Sequence, residues 1–266
     1  MPKPPTRAAA FFDVDNTMMR GASIFYLAMA LAKQRQLTVS QISRFAVKQF
    51  RFVTSGSENL NDVASVTSSA LAFVEGRAVD DFTEFGENVF DDTMVNKLIP
   101  GTLDLAKAHL DAGDQVWLVT ATPVELAQLL ARRLGLTGGL GTVSEVVDGR
   151  YTGRLMGKPL HGAAKADAIR ELAQREGLDL DLCAAYSDSA NDIPMLTAVG
   201  HPTAVNPDPK LRKHARSQGW AIVDFRRRQT ARRAALPLGA GAAGAAAGLV
   251  TGYFAGRAAR RITGNR

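Results

Sequence analysis

The chain has 266 residues, 46% of them apolar, a formal net charge of +6 at pH 7 and one cysteine, Cys183. That length suits one α/β domain with a smaller insert, and a single cysteine excludes a disulfide framework, so a reducing compartment is expected. The positive charge does not point to nucleic acid. Residues 226–266 carry nine Arg and no acidic residue, which leaves the rest with 23 basic and 26 acidic side chains, and no basic stripe with aromatics runs through that body.

In chain order, the start Met1-Pro-Lys-Pro-Pro-Thr-Arg lacks the apolar stretch of a secretory signal. A buried strand is expected from residue 8, in Ala8-Ala-Ala-Phe-Phe12. From Met18 to Ile99 the β signal disappears. Ile42, Phe45, Ala46, Phe50 and Val53 lie near helical spacing, and Thr54-Ser-Gly-Ser breaks two helices. At Pro100-Gly101-Thr102 a βα alternation resumes. It predicts a helix from Leu103 to Ala112, a strand Gln115–Thr120, and a helix to Leu134 with Thr122 as N-cap and Pro123 in its first turn. A hairpin follows over 143–155, turning at Asp148-Gly149. Then come a helix Ala163–Glu176, a strand Leu182–Tyr186, a short helix Ile193–Ala198, and strands Thr203–Val205 and Ala221–Val223. The alternation implies a Rossmann-like parallel sheet with helices on both faces. Residues 1–17 and 100–225 would form this α/β core and 18–99 an inserted all-helical cap. The cap would sit above the carboxyl edge of the sheet as a lid.

Two acidic segments each follow a strand: Asp13-Val-Asp-Asn-Thr17 and, 175 residues later, Asp188-Ser-Ala-Asn-Asp192. Carboxyl ends of parallel strands converge on one crevice, the usual ligand site of such a sheet. Four carboxylates there repel one another without a cation, and a hard divalent metal, Mg²⁺ most simply, resolves this and leaves room for a phosphate. Asp13 and Asp15, two apart, would share a face and titrate apart, an ionised nucleophile beside a general acid. Aspartate forms aspartyl phosphates, whereas the plain alternative is a turn of Asp, Asn and Thr. Thr120, ending its strand, would reach the same crevice or merely cap locally. Lys165 at a helix start would offset phosphoryl charge, with Lys158 as competitor. Asp188 and Asp192 face back to the crevice if a helix begins between them; otherwise Asp188 or Ser189 is an ordinary N-cap.

Together, in this order, these residues resemble the haloacid dehalogenase-like hydrolase superfamily, in its phosphoserine phosphatase-like branch with a helical cap. The pattern is Asp-x-Asp-x-Thr, a strand-ending Ser/Thr, a Lys, and Asp-x-x-x-Asp, here Asp13–Thr17, Thr120, Lys165 and Asp188–Asp192. The family lysine directly precedes a helix, which favours Lys165 over Lys158. The resemblance implies Asp13 as nucleophile and Asp15 as general acid, then base. It implies Mg²⁺ on the Asp13 carboxylate, the Asp15 carbonyl and Asp188, with Asp192 holding a metal-bound water or Lys165. Thr120, Lys165 and Asn191 would position a phosphoryl group. Two departures stand out. Phosphoserine-specific relatives carry a glutamate for the substrate amine where this chain has Ala22, within Met18-Met-Arg20-Gly-Ala22-Ser23, so phosphoserine is expected to be a poor substrate; Arg20 also bears on specificity. The usual glycine before the last aspartate pair is Ser187.

The tail holds a charge-free stretch, Ala234–Gly256, between arginine clusters. As a helix it would be about 34 Å long, enough for a bilayer core. Gly244, Gly248, Gly252 and Gly256 would make a ridge suited to self-association in a membrane. A peripheral helix on anionic lipid and a low-complexity tail are the alternatives. The sequence therefore points to a Mg²⁺-dependent phosphomonoester hydrolase for a small phosphorylated metabolite or lipid head group, tethered to the inner face of the cell membrane. A phosphotransferase of the same fold and an inactive membrane-tethered interaction protein are the rivals.

Overall fold

The computed structural model describes residues 8–33, 71 and 74–225. The chain runs β1 (Ala9–Phe12), α1 (Ser23–Lys33), α2 (Val79–Val89), α3 (Pro100–Asp111), β2 (Gln115–Pro123), α4 (Val124–Arg133), β3 (Gly138–Thr142), β4 (Ser144–Val147), β5 (Arg150–Leu155), α5 (Ala163–Glu176), β6 (Ala184–Ser187), α6 (Ile193–Thr197), β7 (His201–Val205), α7 (Pro209–Ser217) and β8 (Ala221–Val223). The expected helices around residues 42–53, their break at 54–57, and the whole tail from 226 lie outside the described residues. Among those described, no helix is long and apolar enough to cross a membrane.

Six strands pair in the order β3-β2-β1-β6-β7-β8, every pair parallel. Alternate side chains feed two cores. Phe12, Leu118 and Tyr186 face Leu105 of α3 and Leu126, Leu129 and Leu130 of α4. Phe11, Val119 and Ala185 face Ile169 and Leu172 of α5, Met195 and Leu196 of α6 and Leu211 of α7. The central strand β1 is wholly buried, which is why it reads as a continuous apolar run. The expected α/β class, with helices on both faces, is the one observed. Between β1 and α3 the regular elements among the described residues are helices, joined by turns and by isolated bridges such as Met19 to Leu98. Helix α2 is pinned to α4, where Arg132 and Arg133 donate to Glu87 at 2.6 and 2.9 Å and Arg133 also pairs with Asp91.

Several local expectations need correction. Helix α3 starts at Pro100, not Leu103, because proline's fixed φ and missing N–H suit the first helical position. Thr122 is not an N-cap. Strand β2 continues to Pro123, which starts α4 without any side-chain cap, and the Thr122 hydroxyl lies 3.0 Å from that of Thr120. Strand β6 begins at Ala184, after a 3₁₀ turn over Leu180–Leu182, so Cys183 precedes the strand instead of sitting inside it.

Two elements had no expectation. Strand β3 is Gly-Gly-Leu-Gly-Thr and carries no alternation. A Cβ on Gly139 would stand 2.4 Å from the Ala127 carbonyl oxygen, so helix α4 packs closely against this edge only because the residue is glycine. Helix α7 is polar, with only Leu211 and Ala215 buried, and its start is marked by Asp208-Pro209.

Candidate active site

The sheet register sets the site. Phe12, Leu118 and Tyr186 stand side by side, so the next row is Asp13, Val119 and Ser187, and the one after it Val14, Thr120 and Asp188. Asp13 follows Phe11, and Ser187 follows Ala185, onto the face covered by α5. Lys165 comes from the first turn of α5. Gly162, with φ +57°, a backbone state that side chains disfavour, turns the chain into that helix.

Lys165 is buried and donates to Asp13 Oδ1 at 2.7 Å and to Asp192 Oδ2 at 2.8 Å. This contact joins β1, α5 and the loop after β6, which lie up to 179 residues apart in sequence as Asp13 and Asp192. Lys158 is exposed and takes no part. Burial raises the Asp13 carboxyl to about 7; Lys165 opposes the shift, while the charges of Asp192 and Asp15 add to it. For Lys165, burial alone would lower the ammonium, but Asp13 and Asp192 outweigh it and hold it above its ordinary value.

Asp15 lies one step further out. Its Oδ1 accepts from the Ser23 amide at 2.8 Å and the Ser23 hydroxyl at 2.6 Å, at the start of α1. Burial raises this carboxyl too, and the two Ser23 bonds restrain the rise. Thr17 reaches Asp188 Oδ1 at 3.5 Å. Asn191 turns its side-chain amide back to Ser189 Oγ at 2.9 Å. Thr120 is buried in an irregular stretch of β2, where pairing to β3 shifts register between Val119 and Pro123. Arg20 is exposed, with its carbonyl accepting from Tyr26 Oη at 2.5 Å, and Ala22 is partly buried. Hence Asp13, Lys165 and Asp192 are in direct contact and Asp15 is within electrostatic reach of Asp13. Asp188 sits on the neighbouring loop against Thr17. Among the described residues no three carboxylate, imidazole or thiolate groups are gathered as a ready metal cluster.

Three residues escaped the sequence reading as parts of this site. Ser23 opens a helix, a signal readable in Ala22-Ser23 before the apolar Ile24-Phe25, and its amide and hydroxyl both donate to Asp15. Asp208 braces the Asp188 loop: its amide donates to the Asp188 carbonyl at 2.8 Å, and its Oδ2 accepts from Ala190 N at 2.8 Å while Oδ1 caps α7. Ser187, noticed only as a departure from glycine, donates to Asp192. Because Ser23 holds the charged form of Asp15, Ser23→Ala should raise the Asp15 pKa further. If Asp15 is the general acid, the alkaline limb of kcat/KM should move to higher pH while kcat drops by roughly tenfold. A pH–rate profile identical to the unaltered enzyme's would remove Ser23 from this role.

The chain matches the family model described as haloacid dehalogenase-like hydrolase over residues 10–197. It is 53% identical over 241 residues to a protein of Mycobacterium tuberculosis named phosphoserine phosphatase SerB1, covering 90% of this chain and 78% of that one. Among solved structures, a protein of unknown function from Bordetella pertussis superposes with a TM-score of 0.72 at 30% identity, over 83% of this chain and 99% of that one. A substrate-bound phosphoserine phosphatase shares the fold, with a TM-score of 0.59 at 20% identity, over 85% and 98% of the two chains.

Proposed function

We propose, for a chain that belongs to the haloacid dehalogenase-like hydrolases and is a phosphatase of that family, a Mg²⁺-dependent phosphomonoester hydrolase that works through an aspartyl phosphate on Asp13. The observation that carries this reading is the buried Lys165 ammonium bonded to both Asp13 and Asp192. It holds a carboxylate at the end of the central strand while leaving the local charge negative.

In this reading the Asp13 carboxylate attacks phosphorus and the bond from phosphorus to the leaving alcohol breaks. Asp15, whose raised pKa favours a held proton, protonates the departing oxygen. Asp15 then takes a proton from the water that attacks the aspartyl phosphate, which releases phosphate and restores Asp13. Lys165, Thr120 and Asn191 hold the phosphoryl oxygens. The Asp13 carboxylate, the Asp15 carbonyl and Asp188 would hold the metal, with Asp192 bordering it. These donors fit a hard dication: all are oxygens, and beyond the burial that chiefly raises the Asp13 pKa, the charges of Asp192 and Asp15 crowd the same carboxyl. Bound Mg²⁺ supplies the positive charge against which carboxylate and phosphoryl group approach. EDTA should abolish hydrolysis of p-nitrophenyl phosphate, added Mg²⁺ should restore it, and excess Ca²⁺ should inhibit. Full activity after rigorous chelation would sink the reading.

On the leaving group, the 53% identical relative favours phosphoserine by its name. Ala22 argues the other way, since it offers no carboxylate to an ammonium, and Arg20 stands nearby. We infer an amine-free metabolite or lipid head group as the better substrate. A panel of phosphomonoesters tests this, and phosphoserine giving the highest kcat/KM would reverse it. Products formed with added alcohols separate hydrolysis from phosphotransfer.

The division into a core of 1–17 and 100–225, a cap of 18–99 and a tail of 226–266 belongs to the same reading, as does tethering of a cytoplasmic catalytic body through 234–256. Phe225 supports the last boundary: it is packed into the core and its amide donates to Asn206 Oδ1 at 2.7 Å. A chain ending after Phe225 should stay in solution and keep its activity on small esters. The full chain should sediment with membranes, released by salt if only arginines hold it and by detergent if the segment spans. Full chain remaining in the soluble fraction of its native host would refute both forms of tethering.

A further inference from the structure

We infer that Ser187 is a positioning residue, which fixes the Asp192 carboxylate and through it the Lys165 ammonium; the inference deepens the phosphatase reading given above. Ser187 is fully buried at the end of β6. Its hydroxyl oxygen accepts from the Ser189 amide at 3.2 Å, and an amide can only donate. The single hydroxyl proton is therefore free to go to Asp192 Oδ2, at 2.7 Å. That same oxygen accepts from Lys165 at 2.8 Å. An amide, a hydroxyl, a carboxylate and an ammonium thus form one chain that ends on Asp13. The loop has a second brace, since the Ser189 hydroxyl accepts from the amide of Asn191 at 3.2 Å and from its side chain at 2.9 Å.

Glycine, the residue expected here from the family pattern, provides no such bond. With glycine the Asp192 carboxylate would be oriented by Lys165 alone and could swing about its own χ angles. With serine its orientation is set before any phosphate arrives. The hydroxyl bonds to Asp192 and the Ser189 amide and not to a reacting group, and Lys165 itself stays in both variants, so the effect should fall mainly on the binding of the phosphoryl group and only slightly on the chemical step.

The test compares the full chain with Ser187→Ala and Ser187→Gly. With p-nitrophenyl phosphate, KM should rise about fivefold to twentyfold in both variants, with kcat within about threefold. In the metal-free protein, acylation of Lys165 by acetic anhydride, followed by peptide mass spectrometry, should speed up at least about fivefold, because a less firmly held side chain samples open positions more often, where it can lose its proton to solvent and attack the anhydride as the free amine, releasing acetate. The second measurement needs neither Mg²⁺ nor turnover. It therefore decides the role of Ser187 even if the unaltered chain proves inactive, an outcome that would count against the phosphatase reading alone. Lys165 labelling unchanged in both variants, with only a lowered melting temperature, would make Ser187 a loop-stabilising residue and overturn the inference.

Discussion

Asp13→Asn brings turnover down to the uncatalysed background. An amide cannot attack phosphorus, and no second carboxylate occupies its place at the end of β1. The same variant has an opposite effect on stability. In the metal-free protein Asp13 is raised from 3.8 to about 7, chiefly by burial. A group whose folded pKa is raised contributes stability that is full below its unfolded pKa and lost as pH rises through the folded value. Metal-free protein should therefore lose stability between about pH 4 and pH 7, by up to roughly 4 kcal/mol for this one group. The amide in Asp13→Asn cannot ionise, so the variant should show a flatter stability curve and melt higher than the unaltered chain in EDTA at a pH about half a unit above the folded pKa. Near-normal phosphatase activity in Asp13→Asn would end the aspartyl-phosphate mechanism. A pH dependence of melting matching the unaltered chain's would show that the site's charge is balanced by some other group.

Lys165→Met should damage both fold and chemistry. The lysine is buried against two buried carboxylates, and removing one member of such a cluster leaves uncompensated charge, which costs about 3–5 kcal/mol. Its own pKa is raised, so its contribution is complete below about pH 10 and fades only in strong alkali. The loss should thus be largest above the folded pKa of Asp13, about 7, and shrink at lower pH as Asp13 takes up a proton. Removing one cation from the transferring phosphoryl group should lower kcat by about 10²–10³-fold. Melting curves across pH, alongside kinetics at saturating substrate, check both parts. A variant that keeps more than about a tenth of kcat would place the phosphate elsewhere.

The hydrogen-bond chain through Ser187 also limits how the cluster can be altered. Asp192 is coupled to Lys165 and Ser187 by one oxygen, so substitutions at these three positions should not add independently. Single-residue effects within the cluster are for that reason differences, not shares of a total.

The sequence by itself determined the α/β alternation, the opening buried strand, the hairpin turning at Asp148-Gly149 and the identities of Asp13, Lys165 and Asp192. These are local signals: an apolar run, a turn dipeptide with φ of +49° and +73°, and acidic residues following strands. It did not determine β3, where Gly139 and Gly141 are dictated by the closeness of α4 and Gly138 by the Trp117 ring, distances that no local pattern encodes. Nor did it determine α7, where only two buried residues mark the inner face. The partners of the acidic residues were decided by tertiary structure alone. Parallel register puts Asp13 beside Ser187, while the packing of α5 delivers Lys165 to Asp13 and Asp192, and the start of α1 brings Ser23 to Asp15. Residue type announces that a carboxylate is present. Its proton affinity and its hydrogen-bond donors depend on burial and on neighbours far away in the chain, and only the folded sheet brings those together.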